Sequence, residues 1–372
     1  MSLSIVIAGG GTGGHLYPGI AVARELLARR SDARVTFVGT AAGIEARVVP
    51  REGFDLEVIR SAGLKGKSLQ SLARGMGLLP LSALDAWRVL SRRRAAVVIG
   101  VGGYSSGPVV ALASMRGTPT LLMEQNAVPG ITNRILARFV NAAAVTYEES
   151  IPFFGDKAFI AGNPVRSAFF ESVPESPEHA EAHDEHGTPP RAARVLVFGG
   201  SQGAHAINLA MVEAASRLAA ATPRLAITHQ TGERDLEMVR DGYRRAGLEA
   251  RVEPFLFAMD REMKAADVVV SRAGATTLAE LMAAGRPSLL IPLPTATDDH
   301  QRKNAEALVR QGAARMVEQR ELTGERLATE IAGLAGDARG LASIAEKARA
   351  LARPEAARLI VDKVLELAVN SR

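Results

Sequence analysis

Short apolar runs alternate with longer amphipathic stretches along most of the chain. The runs cover residues 3–8, 34–38, 56–59, 97–101, 120–123, 143–146, 158–161, 195–198, 225–228, 251–255, 268–271, 288–291 and 314–317. Continuous apolar runs separated by helical patterns are typical of parallel strands that are buried on both faces. The pattern therefore predicts an α/β protein with two Rossmann-like, doubly wound domains.

One segment interrupts this alternation. Residues 171–191 contain four prolines and many acidic residues, and they lack any apolar periodicity. This composition predicts a linker between domains. We expect an N-terminal domain over residues 1–166, a linker over 167–193 and a C-terminal domain over 194–353. A final amphipathic helix is expected over residues 355–369.

Composition narrows the class of protein. A chain of 372 residues favours two domains over a single core. No apolar run reaches about 18 residues, and no basic segment precedes the first strand, so we expect neither a membrane span nor a signal peptide. The absence of cysteine excludes disulfides and thiolate metal sites, as in a cytosolic protein. The net charge of +5 is too small to indicate nucleic-acid binding.

A glycine-rich turn, GGGTGGH at residues 9–15, follows the first predicted strand. Such a turn at the start of a helix offers backbone N–H groups to an anion. A dinucleotide-binding domain would also present an acid at the end of its second strand, but that strand ends in Gly39 and Thr40, which argues against NAD. The helix dipole would keep His15 neutral, so His15 is a candidate general base; a hydrogen bond within its own turn is the alternative.

Further polar motifs follow the strands of the first half. GGYSSGP, residues 102–108, predicts a second anion-binding loop. EQNAVPG, residues 124–130, carries a second candidate base, Glu124, and also Asn126, which could equally be only a helix N-cap. GNPVR places Arg166 at the boundary between the domains, where a structural role is the alternative.

The second half repeats the combination of strand, glycine turn and helix. FGGSQGA, residues 198–204, predicts a cradle for a diphosphate, to which Ser201 would add a hydroxyl. RAGATTLAE, residues 272–280, predicts a helix N-terminus at Gly274, and Glu280 lies one turn inside that helix. A carboxylate there could accept hydrogen bonds from the hydroxyls of a ribose.

Together these motifs resemble those of the GT-B glycosyltransferases that act in bacterial cell-wall synthesis, and they span nearly the whole chain. The resemblance implies two domains that face each other across a cleft, with the C-terminal helix packed back on the first domain. It implies inverting transfer of N-acetylglucosamine from UDP-N-acetylglucosamine to the 4-hydroxyl of the N-acetylmuramoyl group of lipid I, an undecaprenyl-linked acceptor. The product would be lipid II, the precursor of peptidoglycan, and the transfer would need no cofactor.

The resemblance also assigns residues to the two substrates. UDP-N-acetylglucosamine would be bound by Thr12, Gly13, Gly14, Asn126, Arg166, Ser201, Phe257, Gly274, Ala275, Thr276, Thr277, Glu280 and Gln301. The lipid acceptor would be bound by Gly103, Tyr104, Ser105 and Ser106. Either His300 or Gln301 would contact the sugar, and we favour Gln301 for its amide. Because no Asp-x-Asp motif occurs, helix N-termini and Arg166, rather than a metal held by the protein, would stabilise the departing UDP.

A basic segment is the remaining feature. Residues 60–94 contain eight Lys or Arg side chains and one acid, a local net charge of +7. Apolar residues recur there at helical spacing, at Leu69, Leu72, Met76, Leu79, Leu81, Leu84 and Trp87. Such a stripe is either buried in the core or lies on an anionic bilayer. A lipid-linked acceptor favours the second interpretation, peripheral attachment to the cytoplasmic face of the plasma membrane.

Three other functions compete with this one. A UDP-N-acetylglucosamine 2-epimerase would need no acceptor, and a diacylglycerol glucosyltransferase would use another lipid. A sugar-nucleotide-binding scaffold would not react at all. In the linker, His179, His183 and His186 could hold a metal, but a solvated linker is the favoured interpretation.

Overall fold

The structure is a computed structural model that describes residues 3–61, 69–171, 192–200 and 203–370, without the side chains of residues 69–76, 79 and 297. The chain divides into two compact units. Unit 1 comprises Met1–Val165 and Arg353–Arg372, and unit 2 comprises Arg166–Ala352.

The described part of unit 1 contains a seven-stranded parallel sheet in the order β3-β2-β1-β4-β5-β6-β7. Its strands are β1 (Ser4–Gly9), β2 (Arg34–Gly39), β3 (Asp55–Val58), β4 (Val97–Gly102), β5 (Thr120–Glu124), β6 (Ala142–Val145) and β7 (Ala158–Ile160). Its helices are α1 (Gly13–Arg29), α2 (Glu45–Arg51), α3 (Leu69–Arg93), α4 (Ser106–Met115), α5 (Ile131–Leu136) and α6 (Ile151–Phe154).

Unit 2 repeats this plan over its described residues, with a six-stranded parallel sheet in the order β10-β9-β8-β11-β12-β13. Its strands are β8 (Ala193–Phe198), β9 (Leu225–Gln230), β10 (Ala250–Glu253), β11 (Val268–Ser271), β12 (Ser288–Leu290) and β13 (Arg315–Met316). Its helices are α7 (His205–Ala219), α8 (Leu236–Ala246), α9 (Met259–Ala265), α10 (Ala275–Ala284), α11 (His300–Arg310), α12 (Gly324–Ala335) and α13 (Ala338–Leu351).

Successive side chains of β1 point to opposite faces of the sheet, and both faces are buried, which explains why residues 5–8 of β1 are all apolar. Ile5 and Ile7 lie in a core that also contains residues of α1, whereas Val6 and Ala8 lie in a core on the opposite face with residues of α3 and α4. All four side chains are fully buried. Because both faces of each sheet are covered, the predicted fold class of two doubly wound α/β domains is confirmed.

The last helix, α14 (Ala356–Asn370), belongs to unit 1. Its buried residues Ile360, Val361 and Val364 share a core with residues of α1. On the surface, Arg29 forms an ion pair with Asp362 at 2.7 Å. The apolar side of α14 therefore helps to cover one face of the first sheet, although this helix comes last in the sequence.

The predicted linker differs from the structure at its first residues. Ser167–Phe169 forms a 3-10 turn in unit 2, and the side chain of Phe169 is buried. Lys264 donates hydrogen bonds to the carbonyl oxygens of Ala168 at 2.6 Å and Glu171 at 3.2 Å. These contacts fix a segment that lacks a helical or strand pattern. Residues 172–191, with the three linker histidines, lie outside the described residues.

Candidate functional site

In each unit, glycine-containing motifs follow the two strands between which the strand order reverses. In unit 1 the reversal lies between β1 and β4, which are followed by the loops of residues 9–15 and 102–108. In unit 2 it lies between β8 and β11, which are followed by Gly199 and Gly200 and by the start of α10. Ligands of open parallel sheets bind at such switch points, outside the carboxyl ends of the strands.

The two glycine-rich loops of unit 1 pack directly against each other. The Gly10 N–H donates to the carbonyl oxygen of Gly102 at 3.2 Å. A Cβ atom on Gly103 would lie only 2.3 Å from the carbonyl oxygen of Gly10. A Cβ atom on Gly9 would likewise lie 2.3 Å from the carbonyl oxygen of Gly102. Side chains at these two positions would separate the loops, so the close approach explains Gly9 and Gly103.

His15 lies in the first turn of α1, half-buried, beside the second loop. Its Nδ1 is 3.3 Å from the Oε1 of Gln125, and the Nε2 of Gln125 donates to the carbonyl oxygen of Val101 at 3.1 Å. Because the amide nitrogen is used in that way, the amide oxygen faces the imidazole and Nδ1 is the donor. The neutral ring then carries its lone pair on Nε2, which is the atom that can accept a proton.

Glu124 is buried at the end of β5, and both of its oxygens accept hydrogen bonds. Oε1 accepts from the backbone and side-chain nitrogens of Asn126, at 3.0 and 3.1 Å. Oε2 accepts from Asn133 Nδ2 at 2.9 Å and from Gly130 N at 3.3 Å. Burial raises the pKa of the Glu124 carboxyl, against the effect of these donors. The geometry favours a role in shaping the loop of residues 124–130.

Three of the predicted acceptor-binding residues differ in exposure. Tyr104 is half exposed, and its carbonyl oxygen accepts from Ser61 Oγ at 3.0 Å. Ser105 and Ser106 are buried, and a Cβ atom added to Gly100 in β4 would lie 2.7 Å from Ser106 Oγ. The Ser106 hydroxyl is thus buried near β4, and the assignment of Ser105 and Ser106 to the acceptor stays a prediction.

A carboxylate that the sequence pattern did not reveal lies beside the first loop. Glu45, at the start of α2, is 1% exposed. Its Oε2 accepts from Gly11 N at 2.8 Å, and its Oε1 accepts from Thr40 N at 2.8 Å and Thr40 Oγ1 at 3.0 Å. β2 itself ends without an acid, as Gly39 and Thr40 indicate, and the next acid along the chain is Glu45. Because it is buried and hydrogen-bonded, it is not presented to a ribose.

In unit 2 the side chain of Gln230 forms a hydrogen bond to Gly200, directly after β8. Gln230 Nε2 donates to the carbonyl oxygen of Gly200 at 2.9 Å, and its Oε1 accepts from Leu256 N at 2.8 Å. This buried amide therefore connects the turn to the segment that carries Phe257. Ser201 lies outside the described residues.

A chain of buried polar groups supports the same turn. His229 contacts Tyr243 Oη at 2.7 Å and Asn208 Oδ1 at 3.0 Å, and Asn208 Nδ2 donates to the Thr231 carbonyl oxygen at 2.9 Å. A Cβ atom on Gly203 would lie 1.8 Å from that oxygen. Burial lowers the pKa of His229 to about 3, so the ring is neutral and acts as a fixed hydrogen-bonding group.

The helix α10 begins immediately after Gly274, which lies at its N-cap, and Ala275, Thr276 and Thr277 form its first turn, half-buried. Glu280 follows one turn later. Burial raises the pKa of its carboxyl to about 7, and the positive charge of Arg166 acts against that rise. Arg166 itself is exposed and stacks 5.1 Å from the ring centroid of Phe169. A carboxylate and a helix N-terminus are thus present in one small region of unit 2.

Arg272, just before that helix, was missed by the sequence analysis as a site residue. Its guanidinium donates to the carbonyl oxygens of Ile291 and Pro292 at 3.0 and 3.2 Å, and to Gln319 Oε1 at 2.7 Å. Burial lowers the pKa of Arg272 to about 10. Its role is to fix the end of β12 beside the start of α10.

In unit 2, the other residues predicted to bind the sugar nucleotide, Phe257 and Gln301, lie on two segments. The Phe257 side chain is 90% exposed, and its ring packs edge-on against Phe255 with 5.0 Å between centroids. Gln301, in the first turn of α11, accepts from Leu293 N at 3.0 Å through Oε1. That bond leaves the amide nitrogen as the part of Gln301 that can serve a sugar. His300 is the first residue of the same helix.

The described side chains of α3 separate into two faces. Ala86, Val89 and Leu90 are buried against the sheet. Leu84 and Trp87 are 43% and 51% exposed, and Leu81 is exposed as well. The side chains of Leu69, Leu72, Met76, Leu79 and Arg74, and residues Lys65 and Lys67, lie outside the described residues. The second half of the apolar stripe is therefore at the surface.

Ion pairs reduce the positive charge expected for this region. Arg93 pairs with Glu57 at 2.6 Å, Arg92 pairs with Glu57 at 2.8 Å, and Arg60 pairs with Asp85 at 2.7 Å. Arg116, from the end of α4, adds a cation 4.4 Å from the centroid of the Trp87 ring. The sequence count overlooked Glu57, which precedes the segment, and Arg116, which follows it.

The described residues offer neither a membrane-spanning helix nor a metal cluster. No helix in these parts of the chain is long and apolar enough to cross a membrane. Within the same residues, no group of three or more His, Cys, Asp or Glu side chains could hold a metal ion.

Comparison with known families gives matches to both halves of the chain. Residues 5–145 match the glycosyltransferase family 28 N-terminal domain, and residues 194–360 match the glycosyltransferase family 28 C-terminal domain. A relative from Pelobacter propionicus is 50% identical over 98% of this chain and 99% of its own, and one from Myxococcus xanthus is 47% identical over 99% and 94%. Both are named UDP-N-acetylglucosamine--N-acetylmuramyl-(pentapeptide) pyrophosphoryl-undecaprenol N-acetylglucosamine transferase.

Solved structures share the fold. The crystal structure of Acinetobacter baumannii MurG is 28% identical, with a TM-score of 0.78 over 98% of this chain and 99% of that one. A UDP-GlcNAc 2-epimerase from Neisseria meningitidis has a TM-score of 0.68 at 14% identity, over 98% and 100% of the two chains. That second likeness concerns the fold alone, and with the first it confirms the GT-B fold class.

Proposed function

Because the chain belongs to glycosyltransferase family 28, we propose that it transfers N-acetylglucosamine from UDP-N-acetylglucosamine to the N-acetylmuramoyl 4-hydroxyl of lipid I, forming lipid II. The single observation that carries this proposal is the position of His15, between two packed glycine loops, with Gln125 selecting its tautomer. A basic imidazole nitrogen beside anion-binding loops suits an acceptor that combines a hydroxyl with a diphosphate.

Unit 2 would bind the donor. The N-terminus of α10 and the turn of residues 199–204 would receive the diphosphate, with Ser201 adding its hydroxyl. The Glu280 carboxylate would accept hydrogen bonds from the ribose hydroxyls. The backbone at Phe257 would meet the uracil, and the Gln301 amide nitrogen would meet the sugar. Arg166, whose charge already acts on Glu280, would add a cation near the diphosphate.

Unit 1 would bind the acceptor and supply the base. The Nε2 of His15 would take the proton of the muramoyl hydroxyl as that oxygen attacks the anomeric carbon, which inverts the linkage from α to β. The loop of residues 102–108, with Gly103, Tyr104, Ser105 and Ser106, would hold the acceptor diphosphate. Thr12, Gly13, Gly14 and Asn126 would line the donor sugar and diphosphate, and Glu124 would keep Asn126 in position.

Departure of UDP leaves negative charge on the β-phosphate. In this proposal the N–H groups at the start of α10 and the glycine turn stabilise that charge electrostatically, because they are fixed by Gln230 and Arg272 before the substrate arrives. Removal of one such donor typically lowers kcat by about 10²- to 10³-fold.

We also infer that unit 1 attaches peripherally to the cytoplasmic face of the plasma membrane. The exposed Leu81, Leu84 and Trp87, with Arg88 and Arg116 beside them, combine apolar surface with positive charge. An anionic bilayer matches both properties, and it is where a lipid-linked acceptor resides.

The release of UDP distinguishes this function from its competitors. Purified protein is incubated with UDP-N-acetylglucosamine, with and without a short-chain lipid I analogue, and UDP is measured. We expect UDP to appear only with the acceptor. Release of UDP without acceptor, or epimerisation of the nucleotide sugar detected by NMR, would favour an epimerase. Release only with diacylglycerol would favour the other lipid glycosyltransferase. Neither UDP release nor epimerisation under any condition would favour a scaffold.

A further inference from the structure

We propose that Glu45 is a positioning residue for the glycine-rich loop of residues 9–15. Its buried carboxylate would hold the loop in the conformation that directs His15 toward the acceptor. The inference rests on the proposed function for its catalytic consequence, and on the geometry alone for its effect on the loop.

The carboxylate joins the segments that follow two neighbouring strands. Oε1 accepts from the backbone N–H and the hydroxyl of Thr40, at the end of β2, and Oε2 accepts from Gly11 N, in the loop after β1. The three distances lie between 2.8 and 3.0 Å. A buried carboxylate is stable only when its oxygens have such donors, so the loop and Glu45 stabilise each other.

The surrounding sequence leaves space for this side chain. Cβ atoms added to Gly10, Gly39 and Gly43 would lie 2.5, 2.3 and 2.2 Å from atoms of the Glu45 side chain. These three glycines come from three different segments, and at each one a methyl group would displace the carboxylate. Their convergence on one side chain indicates a built site for the acid.

The hydrogen bond to Gly11 also determines which loop donors can meet a ligand. The Gly11 N–H is directed to Glu45, so it does not serve a bound phosphate. The donors that remain for a ligand begin at Thr12, which is exposed, and continue into the first turn of α1. Glu45 therefore determines which backbone N–H groups are left for a ligand: those from Thr12 onward, at the N-terminus of α1.

Both positions, Oε1 and Oε2, must accept a hydrogen bond from a backbone N–H group, which only a carboxylate can do. Glutamine has the same size, but its NH₂ group would oppose either the Gly11 N–H or the Thr40 N–H. Whichever way the amide faces, Glu45→Gln loses one of these two backbone contacts with little change in volume, so the side chain no longer joins the loop to Thr40 through both. Thr40→Val is the matched control, because it removes one hydrogen bond to the same carboxylate and leaves the bond to Gly11 intact.

Steady-state kinetics and hydrogen exchange test the proposal. For Glu45→Gln we expect kcat to fall by about 10- to 100-fold, since small displacements of catalytic groups have effects of that size. The KM for UDP-N-acetylglucosamine should stay within about threefold, because most donor contacts lie in unit 2. Backbone amides of residues 10–16 should exchange faster than in the wild type, while those of β8 and α10 remain unchanged. Thr40→Val should keep kcat within about twofold.

Three outcomes would overturn the proposal. The first is wild-type kcat and exchange in Glu45→Gln. The second is an equal loss of kcat in Thr40→Val, which would indicate general destabilisation. The third needs no variant: in the wild-type protein, a Gly11 amide that exchanges as fast as an unstructured one would exclude the contact. If the wild-type protein lacked transfer activity, the proposed function would fail, while the exchange measurements would still decide the role of Glu45.

Discussion

The Nδ1 atom of His15 faces the Oε1 atom of Gln125 at a distance of 3.3 Å. A side-chain amide 110 positions away in the sequence thereby determines which imidazole nitrogen carries the proton. The amide itself is fixed, because its nitrogen donates to the carbonyl oxygen of Val101. The proposed base is therefore oriented before any substrate binds.

His15→Ala should lower kcat by about 10²- to 10⁴-fold, the usual contribution of a positioned general base. The measurement is acceptor-dependent release of UDP at saturating substrate. Tyr17→Phe is the control, since Tyr17 lies on the same helix and is exposed. A His15→Ala enzyme with more than a tenth of the wild-type kcat would exclude His15 as the base.

Gln125→Leu should lower kcat by about tenfold, because the His15 ring loses the partner that fixes its orientation. The effect should be absent from a His15→Ala background, since the two residues act through one group. Kinetics of the two single variants and the double variant provide the test. Additive losses would contradict the coupling between Gln125 and His15.

Glu280 should make donor binding depend on pH. Its pKa is raised to about 7 in the folded protein, so the carboxylate that accepts from the ribose forms as pH rises from 6 to 8. The Kd of UDP-N-acetylglucosamine, measured by calorimetry, should decrease over that range. Glu280→Gln should remove this dependence, and a wild-type Kd that is constant between pH 6 and 8 would contradict the prediction.

The same pKa shift gives a prediction for stability. The folded-state pKa of Glu280 lies above the ordinary value of 4.5. The stabilising effect of its protonated form is therefore complete below about pH 4.5, and it is lost as pH rises through about 7. Glu280→Gln should thus raise the thermal midpoint more at pH 8 than at pH 4.5. An equal effect at both pH values would show that the pKa is not raised.

The exposed face of α3 should bind anionic lipid. Replacing Leu84 and Trp87 together by Ser should reduce co-sedimentation with vesicles that contain anionic lipid at low salt. Salt should weaken binding of the wild type, because the cations contribute. Leu209→Ser, at an exposed apolar position in unit 2, is the control. A wild-type protein that does not co-sediment would make the membrane proposal wrong.

The sequence was sufficient to predict the fold because parallel strands buried on both faces are continuous apolar runs. β1, β4 and β11 lie where such runs were found, and the glycine turns follow them directly. Motifs of adjacent residues, such as those around His15 and Glu280, were therefore visible in the sequence.

Contacts between distant segments were not visible. Glu45 lies 34 positions from Gly11, at the start of the short helix α2, and nothing local marks it as a partner of the loop. Arg272 and Gln230 likewise act through backbone atoms of other segments. The burial of the Ser106 hydroxyl near Gly100 was likewise not visible in a motif of small polar residues.

The most direct test of the central claim is the identity of the product. The wild-type protein is incubated with UDP-N-acetylglucosamine and a short-chain lipid I analogue, and the lipid is analysed by mass spectrometry and by proton NMR at the new anomeric centre. We predict a product heavier by one N-acetylhexosamine, joined by a β linkage to the muramoyl 4-oxygen. An unchanged acceptor, with the nucleotide sugar intact or epimerised, would contradict the assignment and leave only the fold established.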